Sequence, residues 1–140
     1  MNLLGVLDLS GSALKAERLR AEVVAANLAN AETTRTPQGG PYVRQQVVFS
    51  AARGGFAQTL AGAQAPEVRV TGPVGDPTAP IMRYEPGHPD ANADGMVAYP
   101  AINPVQEIVD LMGAARAYQL NTAAVQATKN MIQQSIEILH

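Results

Sequence analysis

The sequence predicts a mainly α-helical fold with a small β-rich insert: long helices at both ends of the chain, forming a coiled-coil-like pair, with short strands and loops between them. Two observations carry this. Residues 36–104 hold all ten prolines and nine of the twelve glycines, whereas residues 6–35 hold one glycine and no proline. Apolar residues also recur every seven positions in both flanking segments. The chain therefore divides into residues 1–34, a first helix, residues 35–100, a strand- and turn-rich middle, and residues 101–140, a second helix.

In the first segment Leu7, Leu14, Ala21 and Leu28 keep the seven-residue spacing, Leu3 and Val24 adjoin them, and Lys15, Arg18 and Glu22 fall elsewhere. This is one amphipathic helix over about residues 5–30, with Asn30, Thr33-Thr34 and Pro37 as its stop. In the middle, residues 42–49, 66–70, 81–84 and 96–99 carry strand-forming side chains. Residues 51–65, rich in Ala and Gly, read as a loop. The last segment opens on Asn103-Pro104-Val105-Gln106, where Asn caps, Pro suits the first helical position and Gln can bond back to the cap. Leu111, Tyr118, Val125, Ile132 and Leu139 then form an unbroken heptad series, so the second helix is expected to run to the C-terminus.

Composition narrows the function. Twelve Asp and Glu against ten Lys and Arg, with no basic cluster, leave no footprint for nucleic acid. With no cysteine there is no disulfide, thiolate metal site or thiol nucleophile. No apolar run is long enough to span a bilayer, and Asp8 interrupts the short apolar start, which has no basic residue before it, so neither a membrane span nor a cleaved secretory signal is expected. No cofactor is expected either. The two histidines, His88 and His140, have no partner at metal-ligand spacing, and no hydrolase, phosphate-loop or dinucleotide motif occurs. Asp90, Asn92, Asp94 and Gly95 match the first half of a calcium loop, but Ala98 and Ala101 occupy the ninth and twelfth positions. The stretch is expected to be a solvated Asx turn, not a metal site. An enzyme is not expected. Two long stripes on Ala-rich helices bury too little by pairing once, which points to a multi-chain assembly. Folding of the helix ends is expected to depend on that assembly.

Specific stretches strengthen this. Ser10–Ala16 and Val24–Thr33, with Arg116–Asn121 near the other end, resemble the terminal signatures shared by bacterial flagellar rod and hook proteins. Pro41-Tyr42, Gln46–Phe49, Tyr84–Ala91, Asp94–Val97 and Tyr99-Pro100 are similar to the proximal-rod type of basal-body rod protein, with Met96 and Ala101 departing from its usual aromatic and Asn. The resemblance implies a non-enzymatic rod subunit, exported uncleaved through the flagellar type III apparatus into the periplasmic drive shaft, with other rod subunits and copies of itself as partners. Its helices would line an inner tube that encloses the export channel. The expected interface residues are Leu7, Leu14, Ala21, Val24, Asn27, Leu28 and Asn30 on the first helix, and Leu111, Arg116, Tyr118, Asn121, Val125, Ile132 and Leu139 on the second. Asn27 and Asn30 are expected to act through capping and interhelical hydrogen bonds. The rival reading is a soluble coiled-coil adaptor or chaperone of the secretion system.

Overall fold

The computed structural model describes residues 3–52 and 67–137. Helix α1 spans Leu3–Ala29, and four strands follow, β1 (Gln45–Ala52), β2 (Glu67–Gly75), β3 (Ile81–Tyr84) and β4 (Met96–Tyr99), before helix α2 (Pro104–Glu137). At 1.5 Å per residue the helices are about 40 and 50 Å long. They pack along each other, and the β1–β2 hairpin lies against α1. This is the expected pair of terminal helices with a β insert between them.

Local chemistry accounts for the helix boundaries. The Asn30 amide nitrogen donates to the Ala26 and Asn27 carbonyls, and its side chain returns a bond to Ala26, so α1 closes in a turn at that asparagine. The α2 cap bond runs from the Val105 N–H to Asn103 Oδ1 at 3.0 Å, with Pro104 at the first helical position as expected. Gln106 is exposed.

The strands make two separate antiparallel pairs. β1 starts three residues later than expected, with the Tyr42 N–H given to the Thr33 carbonyl instead of a neighbouring strand, and it continues through Ala51 and Ala52, which the sequence placed in a loop. The rest of that loop lies outside the described residues. β2 extends to Gly75, beyond the expected end, with Gln45 opposite Gly75 and Ala52 opposite Glu67. The register shifts between Gln46 and Val48, where Gly72 and Pro73 stand opposite Val47 alone. Proline has no N–H for the ladder, so the extra residue is taken up there as a bulge.

In the second pair β4 alternates, with Val97 and Tyr99 buried, while all four β3 residues are exposed. Val97, Tyr99 and Ile102 form a small core of their own, apart from the helical one of Ala16, Val23, Val24 and Ala114. Tyr99 organises it. Its hydroxyl donates to Glu85 at 3.0 Å, His88 meets its ring edge-on at 6.3 Å, and the Arg83 guanidinium sits 4.6 Å from its centroid.

The segment resembling half a calcium loop is the β3–β4 connection. Asn92 Oδ1 accepts the N–H groups of Asp94 and Met96, and Asp90 accepts the Thr34 hydroxyl at 2.8 Å with Arg35 3.7 Å away. These side chains are thus engaged as turn builders, and the segment is tied to the chain leaving α1. Gly95 closes it at φ +72°, and an added Cβ would stand 2.9 Å from the Tyr84 ring and 3.1 Å from Pro86 Cβ. Gly95→Ala is therefore expected to destabilise the protein by about 1–3 kcal/mol, from the left-handed conformation and the clash together. Urea denaturation measures this, and an unchanged midpoint would show that the turn relaxes freely.

Candidate functional site

The helix seam is polar where the sequence suggested it would be apolar. On α2 the buried positions are Glu107, Ala114 and Thr128, with half-buried Asn121 completing that seven-residue series. The predicted series of Leu111, Tyr118, Val125 and Ile132 lies four positions on, about 40° around the helix. It flanks the seam: Leu111, Val125 and Ile132 are half-buried and Tyr118 is exposed. Leu139 lies outside the described residues. On α1, Val24 and Asn27 are buried, and Leu7, Leu14, Ala21, Leu28 and Asn30 are half-buried.

Asn27 is the centre of the seam. Side chain and all, it is 1% exposed, as is Glu107. Its Oδ1 accepts from the Gln45 N–H at 2.9 Å and the Tyr42 hydroxyl at 3.2 Å. Its Nδ2 donates to the Gln45 carbonyl at 2.8 Å and to Glu107 Oε2 at 3.1 Å. All four hydrogen-bonding positions of the amide are used. Towards Gln45 it imitates a neighbouring strand, taking both the N–H and the C=O of one peptide residue. Asparagine is the side chain that supplies donor and acceptor at this reach, because aspartate would bring no donor and would face Glu107 as a like charge.

Glu107 completes the clasp. Its Oε1 accepts from Arg44 Nε at 2.7 Å, and Arg44 Nη1 reaches Asp76 at 3.3 Å. Asp110 lies 3.7 Å from Arg20 and 4.0 Å from Arg44. The clasp thus joins α1, α2, the start of β1 and the end of β2. Burial works against the Arg44 charge, but Glu107 and Asp76 outweigh it and raise the pKa of the guanidinium further. Tyr42 is also raised, by desolvation and by the nearby Glu107 charge. Asp76 is held below the usual carboxylate value, first by the Thr78 hydroxyl and N–H and then by the Gln46 amide and Arg44.

The other predicted polar residues act locally. Asn30 bonds the Ala26 carbonyl and accepts the Thr33 hydroxyl at 3.2 Å, which closes α1 and makes no bond to α2. Asn121 bonds Ala117, and Thr128 bonds Ala124, each satisfying itself on its own helix. Arg116 is exposed on α2. Glu107, Arg44, Tyr42, Gln45 and Asp76 were not foreseen. The available signal was Glu107 itself, at the head of a seven-residue series of small and polar residues that a search for apolar spacing passes over.

Clefts of about 410 and 190 Å³ flank the clasp, one walled by Pro77, Pro80 and Pro100, the other by Arg20, Asn27 and Asp110. Arg44 borders both, already committed to Glu107 and Asp76. Among the described residues no cluster of three or more His, Asp and Glu is placed to hold a metal ion, and no helix is long and apolar enough to cross a membrane.

Fold and clasp together define a class of building block in which the two chain ends fold back on each other as long helices and a β-rich insert is pinned to one end of the pair. Residues 7–35 match the family description "Flagella basal body rod protein", and residues 93–138 match "Flagellar basal body rod FlgEFG protein C-terminal". The chain is 37% identical to the flagellar basal-body rod protein FlgC of Bacillus subtilis, over 94% of this chain and 95% of that one. It is 34% identical to FlgC of Borreliella burgdorferi over 99% of each, and 36% identical to FlgC of an Escherichia coli O6:H1 strain over 99% and 98%. The chain belongs to the FlgC-type family of flagellar basal-body rod proteins.

Two measurements probe the clasp. Glu107→Ala leaves Arg44 and Asn27 without their buried acceptor and is expected to cost about 3–5 kcal/mol, with Glu107→Gln milder because its amide oxygen still accepts; urea midpoints of equal size would exclude the proposed bonding. Asp76, with its pKa lowered on folding, contributes stability that is fully present above the unfolded carboxylate pKa and is lost as pH falls through the folded value. The melting temperatures of wild type and Asp76→Asn are therefore expected to differ at pH 7 and to converge below about pH 4.

Proposed function

We propose that this chain is a non-enzymatic structural subunit of the flagellar rod, assembling helically through its terminal helices with copies of itself and with other rod subunits. In that setting it crosses the periplasm as part of the drive shaft, transmits torque, encloses the export channel and arrives through the flagellar type III apparatus without signal cleavage. The carrying observation is an imbalance between inside and outside. Seven apolar residues are buried among those described, while sixteen large ones are exposed, half of them on α2. A small closed oligomer, as the adaptor or chaperone reading requires, would cover one face of the pair; here α1 keeps Leu4 exposed near one end, and α2 exposes Val105 at one end and Ile136 at the other.

The test places a charge among the stripe residues that border the seam. Leu28→Asp and Val125→Asp are expected to abolish motility and to remove the chain from isolated basal bodies, since an unpaired carboxylate in a helix interface costs several kcal/mol. Glu22→Ala, at an exposed surface pair with Arg18, is expected to swim normally. Equal loss from all three variants would refute the assignment of faces.

A further inference from the structure

We infer that His88 is a proton-operated latch: its neutral ring holds the β3–β4 connection in the shape that ties it to the chain leaving α1, and uptake of one proton releases that hold. The bond that carries this runs from the Asp90 N–H to His88 Nδ1 at 3.1 Å. A ring nitrogen accepts only without a proton of its own, so the neutral ring here carries its hydrogen on Nε2. Protonated imidazole has a donor on both nitrogens and nothing left to accept with, whichever way the ring is turned. Histidine is the side chain whose charge ordinarily changes between about pH 5 and 8. The bond is therefore present while the ring is neutral and is lost as pH falls through its protonation.

The turn's other bonds leave this one to the ring. The His88 N–H goes to the Glu85 carbonyl and the Ala91 N–H to the His88 carbonyl, each at 3.0 Å, and the Asp90 N–H between them goes to Nδ1. Pro89 fixes the intervening backbone and offers no N–H. The ring thus does for Asp90 what an asparagine does in an Asx turn, as Asn92 does for the Asp94 N–H at 2.9 Å. Asp90 is also the residue whose carboxylate takes the Thr34 hydroxyl at 2.8 Å, with Arg35 3.7 Å away. One residue carries the proton-sensitive bond on its backbone and the tie to α1 on its side chain.

His88 is half-buried, within reach of solvent. From β4 it meets the edge of Tyr99, and β3 sets Arg83 over that same phenol ring. Glu85 accepts the Tyr99 hydroxyl and raises its pKa, so the phenol keeps its proton across this range. Asp90 lies in the same turn as His88, and the chain leaving α1 brings Arg35 to Asp90 and the Glu32 charge towards Tyr99. Three carboxylates against two guanidinium groups accommodate a charged ring electrostatically. What the proton removes is an acceptor.

Two substitutions separate the bond from the charge. His88→Asn does not titrate and keeps an acceptor at the same reach, because its Oδ1 stands as many bonds from the backbone as Nδ1 does. His88→Gln does not titrate either, and its oxygen stands one carbon further out. Amide hydrogen exchange over residues 86–94 is measured on the purified full chain at about pH 8 and about pH 5, and the proteins are compared at each pH. Wild type is expected to exchange as slowly as His88→Asn at the higher pH and as fast as His88→Gln at the lower. The two variants should differ by about fivefold, the size of one hydrogen bond. Residues 31–36 are expected to follow the turn in wild type and to stop following it in Thr34→Val. Wild type tracking one variant at both pH values, or the two variants alike at both, would overturn the inference, as would a turn that titrates while residues 31–36 stay unchanged. None of these outcomes bears on the rod-subunit reading.

Discussion

A single amide, buried at the end of the first helix, holds the molecule's parts in their relation to one another. Asn27 takes the N–H and C=O of Gln45 on one side and the carboxylate of Glu107 on the other. The junction of the two helices with the hairpin is referred to that point. The start of β1 is set against α1, the start of α2 is set against the end of α1, and through Arg44 the end of β2 is brought to the same corner. Burial makes such a network demanding, because a half-satisfied polar group in a helix seam is worse than an apolar one. Here the amide is fully used and Glu107 has a bond on each oxygen.

The helical pair is therefore pinned at one end and lightly held along the rest. Away from the clasp the seam carries Ala16 and Ala114, side chains that bury little area each, together with Thr128, which bonds its own helix. The hairpin adds a cover over α1, and a bond from the Val68 N–H to Ser12 marks how far along the helix it reaches. Stability is consequently uneven: high where three elements meet at Glu107, lower towards the far ends of both helices. A subunit built this way presents a defined corner and leaves long surfaces to be completed by neighbours.

Much of the fold was legible because its signals are local. The confinement of proline and glycine to the middle segment separates helix from insert, and Asn103-Pro104 announces the second helix by its cap, a contact that reaches two residues. The strands were legible in place and less so in extent, since the backbone at the start of β1 is spent on distant partners, the Tyr42 N–H on Thr33 and the Gln45 N–H on Asn27. The clasp was the least legible part. Asn27 could be picked out, and an interhelical bond was expected of it, but its partners come from β1, the segment leading into it and α2, which only the tertiary fold brings together. The buried series on α2 escaped notice for a physical reason as well. Glu107, Ala114, Asn121 and Thr128 together carry little hydrophobic signal, while the apolar series beside them carries a strong one and lies nearer the surface.

That buried series has a geometric consequence. Glu107, Ala114, Asn121 and Thr128 repeat every seven residues, while a straight α-helix needs 7.2 for two turns, so the contact line drifts by about 20° per heptad. Over the three intervals from 107 to 128 this amounts to roughly 60° of rotation about the axis of α2. To stay in contact, the helices must wind about each other with a left-handed sense. The half-buried apolar series beside it, Leu111, Val125 and Ile132, is fixed to the same backbone, so it winds too, and any helix laid along it would follow a curve instead of a straight line.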